Sequence, residues 1–261
     1  MELKVCDLDF GFGGERNVLN SISLSIDRPG LYCIIGPNGV GKSTLVRCIN
    51  KIYKVPDGKV FIDGKDVNSI SIKENSKNMA YVPVGGDDLF ALTVVDTILI
   101  GRHNKSGWRT KEEDLEIVYK SMKLMGIEDL GMKRYNELSA GQHQKVAIAR
   151  GLVQETGFII LDEPTANLDV RYQVYVTELL KELSVRSGIT VLMISHDLNI
   201  TARYADQVIV MARPGVIHSM GTPEEVVTEE MIREVYGVDC EVISDRHGKP
   251  HIILDSALRM D

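Results

Sequence analysis

Two features are scarce in this 261-residue chain: cysteine and long apolar runs. Only four cysteines occur, and none forms a Cys-x-x-Cys pair, so neither a disulfide framework nor a zinc ribbon is expected. We expect the thiols to be free and buried, in a reducing compartment. No apolar run approaches the roughly 20 residues that a membrane-spanning helix needs. Any role at a membrane therefore requires a partner protein.

Positive charge is also in short supply. Lysine and arginine number 30 against 37 aspartate and glutamate residues, which gives a net charge of −7. A broad basic surface for nucleic acid is therefore not expected. The rest of the composition, with 44% hydrophobic and 26% charged residues, is that of an ordinary globular protein with a sizeable core. The length fits one large domain or a core with an inserted lobe.

Apolar patterning predicts strands that alternate with helices. Strands are predicted at "SISLSID", "LYCII", "MAYVPV", "GFIILDEP", "ITVLMISHD" and "DQVIVM", with a hairpin at "DGKVFIDGKDV". From about residue 85 to 155 the spacing is helical, and one helix begins with Thr93 as its cap. This alternation indicates an α/β fold with a mostly parallel sheet, and the helical interval resembles an inserted lobe.

A glycine-rich segment, "GPNGVGKST", joins the predicted strand "LYCII" to a predicted helix. It fits the pattern G-x-x-x-x-G-K-[ST], in which glycines let successive backbone N–H groups converge on phosphate oxygens. In this pattern Lys42 contacts the β- and γ-phosphates, and the hydroxyl of Ser43 binds Mg²⁺. The sequence therefore predicts a nucleotide site formed by Gly36, Pro37, Asn38, Gly39, Val40, Gly41, Lys42, Ser43 and Thr44.

Two further predicted strands end in residues suited to the same chemistry. Asp162 and Glu163 follow "FIIL", at the carboxyl end of a parallel strand, where α/β sheets bind ligands. Asp162 is placed to bind Mg²⁺. Glu163 is either the base that accepts a proton from attacking water or a surface acid before Pro164. His196 is either a polar residue at the sheet edge or a donor to the γ-phosphate.

A second potential anion site lies far downstream, in "LSAGQHQKVAIAR". Ser139 and Gln142 have the spacing of a capping box before a helical run. The free N–H groups and the dipole of a helix start both favour negative charge. Since the chain already has a phosphate loop, this second site needs another explanation.

The motifs "GPNGVGKST", "LSAGQ", "FIILDEP", "ANLD" and "ISHD" occur in the order and approximate spacing of the ATP-binding cassette ATPases. The chain resembles that family from residue 36 to 197. The resemblance implies a P-loop NTPase core of residues 1–86 and 156–261 that includes an antiparallel β subdomain, with a helical subdomain of residues 87–155 inserted. It also implies ATP as substrate and Mg²⁺ as cofactor.

The resemblance explains the second anion site. In the family, two subunits pack head to tail, and the serine-glycine motif of each closes over the nucleotide of the other. The implied contacts across this homodimer come from Ser139, Gly141, Gln142 and Asp169. The family also stacks the adenine on an aromatic residue before the second strand, for which Phe12 is the better candidate and Phe10 the alternative.

Longer phrases resemble one branch of the family. "IGRHNKSGW", "HDLNITARYADQVIVM" and "GTPEEVVTEEMIREVYGVDCEV" look like the importer ATPases for ferric siderophore, haem and vitamin B12 uptake. Asn104 departs from that branch, which more often has proline there, and so does the ending "HIILDSALRMD". The implied protein is a motor at the cytoplasmic face of the membrane that drives a separate permease, contacted near residues 84 to 108. An extracytoplasmic substrate-binding protein is its indirect partner.

The main departure from the family is Val84, where a glutamine that joins the Mg²⁺ shell is usual. Valine has neither donor nor acceptor. Either water or a neighbour such as Asp87 takes that place, with Gly85 and Gly86 allowing movement, or hydrolysis is slow and loosely coupled. Ala140, in place of the usual glycine, is a milder change. The alternative functions are a soluble ATP switch without a transport partner and a regulatory module that binds ATP but barely hydrolyses it.

Overall fold

The computed structural model describes residues 1–13, 17–84, 92–106 and 110–258. Its strands are β1 (Leu3–Gly11), β2 (Asn17–Ile26), β3 (Gly30–Ile35), β4 (Val60–Ile62), β5 (Lys65–Asp66), β6 (Met79–Val82), β7 (Phe158–Leu161), β8 (Thr190–Ile194), β9 (Gln207–Ala212), β10 (Val216–Gly221), β11 (Val238–Ser244) and β12 (Pro250–Ala257). Its α-helices are α1 (Lys42–Ile49), α2 (Ile72–Asn78), α3 (Val94–Leu99), α4 (His103–Ser106), α5 (Glu112–Met125), α6 (Ala140–Leu152), α7 (Val170–Arg186), α8 (Leu198–Tyr204), α9 (Pro223–Val226) and α10 (Glu229–Tyr236).

The central sheet has the strand order β10-β9-β3-β8-β7-β6. The edge strand β10 pairs with β9 in antiparallel fashion, and the strands from β9 to β6 run parallel. Every residue of β3, β7 and β8 is buried, because both faces of the sheet are covered. This confirms the predicted α/β class and mostly parallel sheet.

A second, antiparallel sheet has the order β2-β1-β4-β5. Its hairpin between β4 and β5 turns at Asp63 and Gly64, both with positive φ, of 48° and 74°. Two successive left-handed residues form the type of two-residue turn that suits the twist of paired strands. The apolar face of this sheet packs in one buried cluster with α1 and one face of the central sheet, including Leu3, Ile22 and Leu45. The predicted hairpin is confirmed.

Helices α3, α5 and α6 cover the opposite face of the central sheet. Thr93 caps α3, since its hydroxyl accepts a hydrogen bond from the N–H of Asp96 at 3.1 Å. Val94 and Val118 from these helices belong to the same buried cluster as Val191 from β8. The helical segment therefore shares its core with the sheet. The division of the chain at residues 87 and 156 remains a prediction.

The C-terminal part forms α10 and the hairpin of β11 and β12, which the sequence patterns did not indicate. The hairpin is held to α8 by Asn199, whose side chain hydrogen-bonds both the N–H and the C=O of Ile252, at 2.8 and 3.2 Å. Most residues of the two strands are half-buried or exposed, so they lack the apolar runs by which other strands are recognised.

No helix within the described ranges is long and apolar enough to cross a membrane.

All four cysteines are free, as predicted. Cys33 and Cys48 are buried, whereas Cys6 and Cys240 are only half-buried, so the expectation of burial holds for two of the four. Burial raises the pKa of both buried thiols to about 12.

Candidate active site

The phosphate loop, residues 36–44, leaves the carboxyl end of β3 and enters α1. Two of its glycines are required by close contacts as well as by positive φ. A Cβ at Gly36 would lie 2.3 Å from the carbonyl oxygen of Met211, and one at Gly41 would lie 2.8 Å from Leu19. At Gly39, by contrast, no atom of the described residues lies within 4 Å of that position. The loop is therefore packed against the protein at both ends and open in the middle, where a phosphate group needs access.

A cavity of about 310 Å³ lies over this loop, lined by Val18, Asn38, Gly39, Gly41, Lys42, Ser43, Thr44 and Glu163. The lysine is 6% exposed, and its Nζ donates to the carbonyl oxygens of Gly36 at 2.7 Å and Pro37 at 2.9 Å. Burial lowers the pKa of Lys42, while nearby Glu163 and Asp162 act against this. A buried cation beside converging N–H groups favours an anionic ligand.

The predicted magnesium ligands lie next to each other. Asp162 directly follows β7 and is fully buried, and its Oδ1 accepts a hydrogen bond from Ser43 Oγ at 2.9 Å. Burial raises the pKa of Asp162, and hydrogen bonds from Ser43 and Tyr81 oppose that rise. A hydroxyl and a carboxylate are hard oxygen donors of the kind that Mg²⁺ prefers. The donor set therefore fits the ion.

The described residues contain no group of three or more His, Cys, Asp or Glu that could hold a metal ion. Mg²⁺ in nucleotide sites takes most of its ligands from phosphate oxygens and water, so a protein need supply only a carboxylate and a hydroxyl.

Glu163 and His196 face each other at the same edge of the sheet. His196 Nε2 lies 2.5 Å from Glu163 Oε1, and both side chains are partly exposed. Glu163 has a positive φ of 51°, a left-handed conformation that is uncommon for a residue with a side chain. The two residues follow neighbouring strands, β7 and β8, which explains how residues 33 positions apart meet. Their predicted roles remain predictions.

Phe12 and Phe10 belong to one aromatic cluster with Tyr53. Phe10 stacks on Tyr53, with ring centroids 5.4 Å apart and an interplanar angle of 11°. Phe12 meets both rings at nearly a right angle and is 57% exposed. One face of Phe10 is thus covered, while Phe12 remains accessible. The geometry favours Phe12 as the stacking residue, and the assignment remains a prediction.

Two residues that contact the carboxylate of Asp162 were not predicted from the sequence. The hydroxyl of Tyr81 donates to Asp162 Oδ2 at 3.2 Å, and Arg47 Nη2 lies 3.8 Å from the same oxygen. One signal was available for Arg47: it follows Ser43 by four residues, so both lie on the same face of α1. For Tyr81 the only signal was its place on a predicted strand, "MAYVPV".

The signature turn, residues 139–142, begins α6. Ser139 accepts a hydrogen bond from the N–H of Gln142 at 3.3 Å, and the Gln142 side chain accepts one from the N–H of Ser139 at 3.0 Å. The predicted capping box is confirmed. Ser139 is exposed, and within the described part of the chain neither it nor Gly141 lines the cavity over the phosphate loop.

The signature turn lies instead against the "ANLD" segment of its own chain. A Cβ at Gly141 would lie 3.2 Å from the carbonyl oxygen of Asn167. Asp169 caps α7 by accepting a hydrogen bond from the N–H of Tyr172 at 3.0 Å. The structure thus brings together the residues predicted to face a second subunit, and separately those predicted to bind this chain's own nucleotide.

Two residues depart from the expected patterns: Val84 from the family and Asn104 from its importer branch. Val84 is 43% exposed at a bend after β6, whereas Gly85, Gly86 and Asp87 lie outside the described residues. Asn104 donates to the carbonyl oxygen of Ser76 at 3.1 Å, a bond between α4 and α2 that proline could not make.

A larger cavity, of about 550 Å³, lies at the opposite edge of the sheet. It is lined by residues of α5 and α7 and by the segments that lead into β7 and β8. These are the amino ends of the strands, away from Asp162 and His196 at the carboxyl ends. The smaller cavity is therefore the candidate active site, because the predicted nucleotide-binding residues line it.

Comparison with known proteins agrees with this geometry. Residues 19–166 match the family model described as ABC transporter. The chain is 40% identical over 253 residues to an uncharacterised ABC transporter ATP-binding protein of Methanocaldococcus jannaschii, covering 97% of this chain and 98% of that protein. It is 36% identical to the ferric enterobactin transport ATP-binding protein of Escherichia coli (strain K12), covering 91% and 88%. It is 34% identical to the cobalamin import ATP-binding protein of Halobacterium salinarum, covering 94% and 61%.

Among solved structures, the chain resembles a dimeric bacterial ABC transporter cassette with a TM-score of 0.75 and 28% identity, covering 85% of this chain and 98% of that one. The matched family segment contains the phosphate loop, the signature turn and the Asp162–Glu163 pair. On the sequence match and the shared architecture together, this chain belongs to the ABC transporter family, as one of its ATP-hydrolysing cassettes.

Proposed function

We propose that this chain is the motor subunit of an ABC importer for iron chelates, such as a siderophore or haem, or for cobalamin. One observation carries the proposal: the cavity over the phosphate loop is lined by Lys42 and its neighbours, whereas the signature turn lies outside that cavity with Ser139 exposed. Relatives named for ferric enterobactin transport and for cobalamin import support the cargo classes. The alternative is a soluble ATP switch with weak hydrolysis, which Val84 favours because it cannot serve as a ligand.

The residues at the cavity divide the chemistry among them. The N–H groups of the phosphate loop and the Lys42 ammonium bind the β- and γ-phosphates. Ser43 and Asp162 would hold Mg²⁺, which would supply positive charge to neutralise the phosphate oxygens. Glu163 accepts the proton of the attacking water, and His196, whose Nε2 lies 2.5 Å from Glu163 Oε1, donates a ring N–H to the γ-phosphate. Phe12 stacks on the base.

A second copy of the chain completes the site. Its Ser139, Gly141 and Gln142 would bring the amino end of α6, with its free N–H groups, to the γ-phosphate. Asp169 would lie on the same interface. Support comes from the exposure of Ser139 and from the similarity to a dimeric cassette. Because each copy gives and receives the same turn, the interface has two-fold symmetry.

The proposed partners follow from this motor role. Closing and opening of the dimer would drive a membrane permease between two states, with the chain bound peripherally at the cytoplasmic face. The proposed contact lies near residues 84 to 108, of which 85–91 and 107–108 are outside the described ranges. We propose residues 87–155 as the subdomain that carries this contact. A substrate-binding protein on the other side of the membrane is the indirect partner.

The dimer is tested with Glu163→Gln, which removes the base and keeps the shape of the side chain. We expect this variant to bind ATP and accumulate as a dimer in size-exclusion chromatography with Mg²⁺. Glu116→Gln, an exposed change on α5 that removes an ion pair with Lys120, is the matched control. We expect the control and the wild type, which both hydrolyse their ATP, to elute as monomers. A Glu163→Gln variant that remains monomeric with ATP and Mg²⁺ would contradict the sandwich mechanism.

Hydrolysis and transport are separated by two further measurements. The rate of phosphate release per molecule should rise with protein concentration, because two copies form the site. It should be lost in Lys42→Ala. A wild-type rate near background would favour the ATP switch. Purification from membranes should recover a polytopic protein with this chain, and candidate cargo should then stimulate ATP hydrolysis in the reconstituted complex. Recovery of the chain without a membrane protein would count against the importer.

A further inference from the structure

A chain of hydrogen bonds connects Tyr53 of the aromatic cluster to the carboxylate of Asp162. Arg47 Nη1 donates to the hydroxyl of Tyr53 at 3.2 Å, and Arg47 Nε donates to the hydroxyl of Tyr81 at 3.4 Å. The Tyr81 hydroxyl in turn donates to Asp162 Oδ2 at 3.2 Å. None of the predicted catalytic roles uses Arg47, Tyr53 or Tyr81.

The direction of these bonds follows from the groups involved. A guanidinium has only donors, an ionised carboxylate has only acceptors, and a tyrosine hydroxyl supplies one donor. Tyr81 can therefore donate to Asp162 while it accepts from Arg47. This arrangement satisfies Oδ2 of a fully buried carboxylate, whose burial without partners would be costly. The other oxygen, Oδ1, is left facing Ser43.

Arg47 is itself held from its other side. Tyr53 accepts from its guanidinium, and the Tyr53 ring is fixed by stacking on Phe10. The main chain adds a further tie, because the N–H of Tyr53 donates to the carbonyl oxygen of Arg47 at 3.2 Å. The Arg47 side chain is 37% exposed, so solvent screens its charge. Arg47 therefore acts on Asp162 mainly by fixing the position of the Tyr81 hydroxyl, and less through its charge.

We propose that Tyr81 and Arg47 are positioning residues for Asp162, which hold Oδ2 so that Oδ1 faces Ser43 and the magnesium site. Tyr53 anchors Arg47 in this arrangement. The inference rests on the proposed nucleotide site, whose metal ligands are Ser43 and Asp162. Partners that orient a metal ligand typically change metal affinity 10- to 100-fold when they are removed.

The main test is Tyr81→Phe, which removes one hydroxyl and keeps the ring. Mn²⁺ replaces Mg²⁺ as the probe, and its binding to the protein with a non-hydrolysable ATP analogue is titrated by electron paramagnetic resonance. We expect about tenfold weaker Mn²⁺ binding. Affinity for the same analogue in EDTA should stay within about twofold of the wild type, because Tyr81 is not among the described residues that line the cavity over the phosphate loop. Tyr119→Phe, on an exposed site of α5, is the matched control.

Two variants of Arg47 test the second residue. Arg47→Met should weaken Mn²⁺ binding as much as Tyr81→Phe does. Arg47→Lys keeps the charge, but one ammonium group lacks the fork that bridges two tyrosine hydroxyls, so we expect only partial recovery. Full recovery with lysine would overturn the geometric role of Arg47 and leave a role for charge alone.

The outcomes separate the inference from the function on which it rests. Mn²⁺ affinity of Tyr81→Phe within about twofold of the wild type would overturn the inference, since loss of an orienting partner should cost more. An equal loss of metal-free nucleotide affinity would overturn it as well, because a general distortion of the loop predicts that result. A wild-type protein that binds no Mn²⁺ with the analogue would instead defeat the proposed nucleotide site.

Discussion

Replacing Arg102 with methionine should destabilise the protein far more than the same change at an exposed arginine. Arg102 is 6% exposed and joins α5 to the end of α6. Its Nε donates to Asp114 Oδ1 at 2.9 Å, and its Nη1 donates to the carbonyl oxygen of Val153 at 2.8 Å and to Glu155 Oε2 at 2.6 Å. Asp114 is 1% exposed, whereas the Glu155 side chain is half exposed.

The magnitude follows from what the methionine would leave behind. Removing one partner of a buried ion pair costs about 3–5 kcal/mol, since the other charge stays buried. Here that charge is Asp114. The exposed partner, Glu155, adds at most about 1 kcal/mol. A loss of about 4 kcal/mol corresponds to a fall of roughly 10 °C in Tm for a chain of this size.

Urea unfolding followed by circular dichroism measures this loss. Arg186→Met is the matched control, because Arg186 pairs with Glu182 on the exposed face of α7 and its side chain is 77% exposed. We expect the control to lose no more than about 0.5 kcal/mol. Asp114 also accepts a hydrogen bond from the N–H of Lys111 at 3.0 Å, which caps α5. The loss in the double variant Arg102→Met/Asp114→Leu should therefore be smaller than the sum of the two single losses, because the two residues form one ion pair.

Two results would refute this reasoning. One is a loss below about 1 kcal/mol in Arg102→Met, which is the range of a surface pair. The other is a double variant that is less stable than Arg102→Met by the full cost of a second, independent change.

Three further predictions concern the site and the thiols. Asp162→Asn should stabilise the nucleotide-free protein at neutral pH. Burial raises the pKa of Asp162, so the folded protein is more stable with this carboxyl protonated, and that stability is lost as the pH rises through the pKa. Asparagine stays neutral at every pH and avoids this loss. Thermal unfolding at about pH 7 against about pH 4 should show this gain only at the higher pH. Phe12→Ala should weaken ATP binding by about 1–3 kcal/mol in a fluorescence titration, with little change in binding of inorganic triphosphate. Iodoacetamide at about pH 8 should label Cys6 first and Cys240 more slowly, because partial burial raises the pKa of the Cys240 thiol as well. Cys33 and Cys48 should be spared, because burial raises the pKa of each thiol to about 12, and mass spectrometry identifies the labelled sites.

The sequence predicted those parts of the molecule that depend on near neighbours in the chain. The caps at Thr93 and Ser139 are three-residue patterns, and both are present. The inner strands are continuous apolar runs, which are legible in the sequence alone. The positions of Asp162 and His196 at one edge of the sheet followed because parallel strands point their carboxyl ends the same way.

Features that depend on long-range pairing were not predictable in this way. Tyr81 meets Asp162 only because β6 lies beside β7, and Arg102 meets Glu155 across 53 positions of sequence. Neither spacing has a local pattern. The hairpin of β11 and β12 was missed for another reason: with most of its residues partly exposed, it lacks the apolar alternation that indicates a strand.

The attachment of that hairpin to α8 has a consequence for the position of His196. Asn199 belongs to the first turn of a helix that starts immediately after His196 and Asp197. Because Asn199 hydrogen-bonds both backbone groups of Ile252, the hairpin of β11 and β12 supports the helix that follows His196. None of the described residues of the hairpin lines the phosphate loop cavity. Removing the hairpin, or fusing another protein to it, would nevertheless change the position of His196 relative to Glu163.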